Sequence, residues 1–132
     1  MSFDSDWNRA VLTITNQTEQ IVRAVALQLF SAVILATPVK TGRLRGNWQC
    51  SIGSPADSEL DSEDPSGGET IGNMANVVGE YKLGPSLYLT NNLPYAAVIE
   101  GGSSQQAPSG MVAVNVAEFQ RILDDKARTT VR

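Results

Sequence analysis

The sequence predicts an α+β domain, with a long N-terminal helix and a C-terminal helix packed on a small antiparallel sheet. Three observations carry this. Trp7, Val11, Ile14, Thr18, Ile21 and Val25 follow alternating four- and three-residue steps, and Val112, Val116, Phe119 and Leu123 repeat at helical spacing near the other end. Between them, residues 48–52 and 86–91 alternate with the period of a strand. The length, 132 residues, is that of one domain able to bury a core without staples.

Ser5 or Asp6 suits the N-cap of the first helix, which is expected to run to about Ala36. From Ala24 onward it is apolar on nearly every side, so it must be covered nearly all round. Such a helix would be roughly 46 Å long, against a radius of gyration of about 14 Å for a compact domain of this size. It is expected to kink, or to be covered in part by a neighbouring copy. Thr37-Pro38 ends it, because the residue before proline avoids helical geometry.

Lys40, Arg43 and Arg45 follow, with Gly42 and Gly46 bracketing Arg43-Leu44-Arg45. This reads either as a solvated turn or as a place where an arginine forms a fixed ion pair or binds an acidic partner. In the strand over 48–52, Trp48, Cys50 and Ile52 face one way, with Cys50 packing as a small apolar residue. Residues 53–69 then change composition. Asp57, Glu59, Asp61, Glu63 and Asp64 stand there without a base among them, the pattern of a flexible acidic loop. A calcium loop starting at Asp57 would need glycine and glutamate where Ser62 and Gly68 stand, so that pattern fails.

A short helix is expected over 69–81, and Gly84-Pro85 turns the chain into the strand over 86–91. Leu87 and Leu89 take one face of that strand, Tyr88 and Thr90 the other. Asn91-Asn92 stops it, Pro94 opens a short helix through Glu100, and Gly101-Gly102 ends that helix. Residues 103–110 have no apolar period and read as docking surface. The last helix is expected from Met111 to about Arg128, with a strand over 112–116 as the alternative.

Composition excludes much chemistry. A net charge of −4 disfavours general phosphate binding. The absence of histidine removes the commonest general base and transition-metal ligand together. A single cysteine, Cys50, allows no internal disulfide. The glycines around Gly67 and Gly68 lack the lysine and hydroxyl residue of a phosphate loop. Asp4 and Asp6 carry the wrong charge for a secretory signal, and the apolar run over 24–36 is too short to span a bilayer. The expectation is a protein with no catalytic residues, cofactor, metal or membrane association.

The segments TPVKTGRLRGNW and LYLTNNLPYAAVIEGGSSQQAPSGMV, in this order and flanked by helices, resemble the small neck and tail-completion proteins of tailed bacteriophages. The resemblance covers residues 5–128. The family's Thr-Pro-Val-x-Thr-Gly-x-Leu-Arg run falls on residues 37–45. Its Asn-x-x-Pro-Tyr-Ala…Glu-x-Gly run falls on 91–102, and its Gln-Ala-Pro-x-Gly-Met run on 106–111. Lys40 stands where an acid is common, and the acidic loop looks like an insertion. The resemblance implies a non-catalytic virion component at the neck or tail top, in a ring of about six copies that meets neighbouring neck or tail proteins and has at most passing contact with DNA. It places the subunit or partner interface at Thr41, Gly42, Arg43, Leu44, Arg45, Asn91, Pro94, Tyr95, Glu100, Gln106, Pro108 and Met111. Two further expectations follow. Glu100, at a helix C-terminus where a carboxylate needs a cation, pairs with Arg43 or Arg45. The acids Asp57, Glu59, Asp61, Glu63 and Asp64 face the DNA path, where like charge lets DNA slide.

Overall fold

Residues 10–14 read Ala-Val-Leu-Thr-Ile, and three of these five are β-branched. They form a strand rather than the front of a helix. The computed structural model describes residues 2–5, 9–14, 19–82, 84–100 and 110–130. In chain order these form β1 (Ser2–Ser5), β2 (Ala10–Ile14), α1 (Glu19–Ala36), α2 (Arg43–Gly46), β3 (Trp48–Ile52), α3 (Gly68–Glu80), β4 (Leu87–Asn91), α4 (Pro94–Glu100) and α5 (Ala113–Thr130). The fold class is α+β, as expected. The expected 31-residue helix is corrected to a β-hairpin followed by an 18-residue helix of about 27 Å. At this length the helix needs neither a kink nor a projecting end. The strand alternative over 112–116 is also corrected, since α5 is helical from Ala113.

The sheet is antiparallel in the order β1-β2-β4-β3. Leu12 and Cys50 both lie opposite Leu89, and Ile14 and Ile52 both lie opposite Leu87. This register lines up one apolar face. Val22, Val25, Ala26, Leu29, Phe30, Val33 and Ile34 of α1 are buried in the same core, as are Met74 and Val78 of α3. Ala96 and Ile99 of α4 join it together with Met111 and Val112. The outer side of α1 keeps Ile21, Leu27 and Leu35 exposed, the last at 53%. Coverage of α1 within the chain is one-sided.

Residues 53–69, expected as a flexible loop, lie against the fold and are joined to it at several points by side-chain amides. Asn47 pairs with Leu60 in both directions, its Nδ2 donating to the Leu60 carbonyl at 3.0 Å and its Oδ1 accepting from the Leu60 N–H at 2.7 Å. Gln49 donates to the Ser58 carbonyl at 2.7 Å, and Asn92 to those of Ala56 and Ser58. At the far end Asp64, 7% exposed, accepts from the Thr70 N–H at 2.8 Å and the Thr70 hydroxyl at 2.7 Å. It thereby caps the first turn of α3.

Burial pushes the Asp64 carboxyl up, but the bonds from Thr70, Gly67 and Ser66 outweigh it and hold the group below its ordinary range. A depressed folded-state value adds stability above the unfolded carboxylate range, and that stability is lost as pH falls through the folded value. Asp64→Asn is therefore expected to lower stability at neutral pH by about 1–2 kcal/mol. The deficit shrinks below about pH 4, which urea denaturation at pH 7 and pH 3 would measure. A deficit equal at both pH values would contradict an ionised cap.

Candidate docking site

The two long motif segments, distant in sequence, meet in space. α2 follows the left-handed turn at Gly42 (φ 91°), and the Asn91 Nδ2 donates to the Leu44 carbonyl at 2.9 Å, tying α2 to the end of β4. Just beyond β4, the Asn91 Oδ1 accepts from the Leu93 N–H and the chain enters α4 at Pro94. A groove of about 830 Å³ lies between them, lined by residues 38–44 on one side and by Leu93, Pro94, Tyr95 and Ile99 on the other. Its floor is apolar, with Leu44, Leu93 and Ile99 buried. Lys40 and Arg43 are exposed at its rim. Tyr95 is 59% exposed and Val98, one turn further along α4, is 53% exposed.

Of the sequence-predicted interface residues, Thr41, Gly42, Arg43, Leu44, Pro94 and Tyr95 line this groove. The remaining described ones have other work. Arg45 turns away and donates to the carbonyls of Leu35 at 2.9 Å, Thr37 at 2.7 Å and Pro65 at 2.6 Å. The first two are carbonyls at the C-terminal end of α1, where no basic residue stands in the helix's own last turn. Asn91 is fully buried. Met111 is fully buried in the core. Gln106 and Pro108 lie outside the described residues.

Lysine can place one ammonium near these carbonyls but cannot reproduce the planar fork. Arg45→Lys is expected to cost about 2 kcal/mol, read as a shift of the urea midpoint with an unchanged slope. A midpoint within error of wild type would remove this role.

The expected pairing of Glu100 with Arg43 or Arg45 is corrected. Arg43 meets Glu59 at 3.4 Å, a half-exposed pair of little energetic weight. Glu100 instead accepts from three backbone amides at the start of α5. Its Oε1 takes Met111 N–H at 2.6 Å and Val112 N–H at 2.8 Å, and its Oε2 takes Ala113 N–H at 2.8 Å. The carboxylate at the C-terminus of α4 is matched by the N-terminus of α5, not by a cation.

The acids divide in three. Asp64 is the buried cap of α3. Glu59 faces the groove beside Arg43. Asp57, Asp61 and Glu63 are exposed. Asp64 therefore drops out of the set expected to face DNA, because its carboxylate is committed inside the fold. A second cavity of about 420 Å³ lies between β3, the 60–62 segment and α3, and includes Cys50. Burial pushes the Cys50 thiol up to about 12, so it is protonated and unreactive at neutral pH. Among the described residues no group of three or more metal-ligating side chains converges, and no helix is long and apolar enough to cross a membrane.

Compared with protein-family models, curated proteins and solved structures, the chain matches none of them.

Proposed function

We propose that the chain is a structural component of a tailed-phage virion, placed at the neck or tail top, where it joins or completes the tail for head–tail attachment. Copies would form a ring of about six and meet neighbouring neck or tail proteins through the groove between α2 and α4. The observation that carries this reading is the meeting of residues 38–44 and 93–99 in one groove. An apolar floor, a charged rim of Lys40, Arg43 and Glu59, and the exposed Tyr95 and Val98 form a surface fitted to a protein partner rather than to a reaction. The other described motif residues, Arg45, Asn91, Glu100 and Met111, support the frame that presents it.

Quantitative mass spectrometry of purified phage particles tests the proposal. A few to about a dozen copies per particle is the expected result. Absence from particles, with the protein plentiful in the lysate, would overturn it and leave a non-virion assembly factor or regulatory binder.

A further inference from the structure

We propose that the groove between α2 and α4 receives the 57–63 loop of a second copy, so that copies join head to tail. This rests on the reading of the chain as a ring-forming subunit and names the contact that would build the ring.

The fold leaves several charges unused. Lys40 is exposed at the groove rim, and Asp57, Asp61 and Glu63 are exposed on the loop. Among the described residues no ion pair engages any of these four. The loop is also a preformed knob. Asn47, Gln49 and Asn92 fix its backbone from Ala56 to Leu60, so little ordering entropy remains to be lost on docking. Within the loop Leu60 is 38% exposed and flanked by Glu59 and Asp61. A partly exposed leucine with acids beside it complements an apolar floor with Lys40 on its rim, while Arg43 there already meets Glu59 of its own chain.

Within one chain Leu60 and Asp61 line the second cavity, against β3 and α3, and not the groove. The complement is thus supplied by another copy. Apart from Glu59, which lies at the groove edge beside Arg43, loop and groove are different surfaces of the same chain, so the contact is heterologous. Repetition of such a contact closes a ring or extends a filament, whereas a twofold contact would stop at a dimer. The rim charges select partner and register, and the apolar contact supplies persistence.

A charge swap tests this. Lys40→Glu is one variant, and Asp61→Lys with Glu63→Lys is the other. All three positions are exposed, and circular dichroism melting checks that both variants fold. Association is measured by sedimentation equilibrium and native mass spectrometry. Wild type is expected to associate and to weaken as salt rises. Each variant alone is expected to associate at least about tenfold more weakly. An equimolar mixture should regain assembly, because each groove then meets a loop of opposite charge, and the complexes should contain both variants in equal number. Folded variants that assemble like wild type would overturn the contact while leaving the virion reading intact, as would a mixture that fails to recover. So would a wild type that stays monomeric at about 100 μM, above ordinary micromolar affinities. The copy number in particles judges the virion reading separately.

Discussion

Glu100→Ala is expected to lower stability by about 2–4 kcal/mol. One carboxylate accepts three amides, those of Met111, Val112 and Ala113, at 2.6 to 2.8 Å. The Val112 carbonyl accepts the first helical bond of α5, from Val116 N–H, so valine occupies the cap position. Valine offers no acceptor there. Alanine at position 100 would leave the amides of the fully buried Met111 and Val112 without their acceptor and the exposed Ala113 amide to water, and it would remove a charge-assisted set of bonds. For a chain of 132 residues each kcal/mol shifts the melting temperature by roughly 3–4 °C, so a drop near 10 °C is expected. Hydrogen exchange should show lost protection at Met111, Val112 and Ala113 before the rest of α5. Glu100→Gln, which keeps one acceptor oxygen, should fall between the two. A Glu100→Ala protein within about 0.5 kcal/mol of wild type would show that α5 is held by packing alone.

Gly42→Ala is expected to cost more, about 3–5 kcal/mol. Gly42 sits at φ 91°, and a Cβ there would lie 2.4 Å from the Pro65 nitrogen and 2.8 Å from the Asp64 carbonyl carbon. These are backbone atoms that cannot swing aside. The same glycine's carbonyl accepts from Gly46 N–H at 2.8 Å and Asp64 N–H at 2.9 Å, so displacing it loosens both α2 and the end of the acidic segment. Gly72, inside α3, is the control. A Cβ there meets nothing within 4 Å, so Gly72→Ala should raise stability by about 0.5–1 kcal/mol. Equal effects at the two positions would contradict the close approach at Gly42. A folded Gly42→Ala protein should also lose docking, since residues 38–44 form one side of the groove.

Where one periodicity stood alone, the sequence was legible. The strands over 48–52 and 86–91 and the helices over 69–81, 95–100 and 111–128 fall within two residues of β3, β4, α3, α4 and α5. The first segment failed because two periods overlapped. Val11 and Ile14 fit a helical stripe, yet Ala10, Leu12 and Ile14 also fit the alternation that pairs them with Asn91, Leu89 and Leu87. Long-range pairing with β4 decided between them.

The contacts of the acidic loop were not legible for a different reason. Its composition is that of a mobile segment, but its anchors are neutral amides at Asn47, Gln49 and Asn92, outside the loop. Glu100 was half legible. A carboxylate at a helix end requires a positive partner, and that partner was sought among the arginines. The valine at the start of α5 was the missing clue, since a helix without its own cap needs an acceptor from elsewhere. The same economy holds for Arg45 and Asp64, which satisfy the end of α1 and the start of α3 through space.

The most direct test of the docking groove is photocrosslinking in assembled particles. A photoreactive phenylalanine analogue would replace Tyr95 on the groove and, in a second protein, Gly72 on the exposed side of α3. The expected result is a defined crosslink from position 95, to a second copy or to a neighbouring neck or tail protein, and none from position 72. Crosslinks from position 72 with none from position 95, in particles that contain the protein, would contradict the groove as the docking surface.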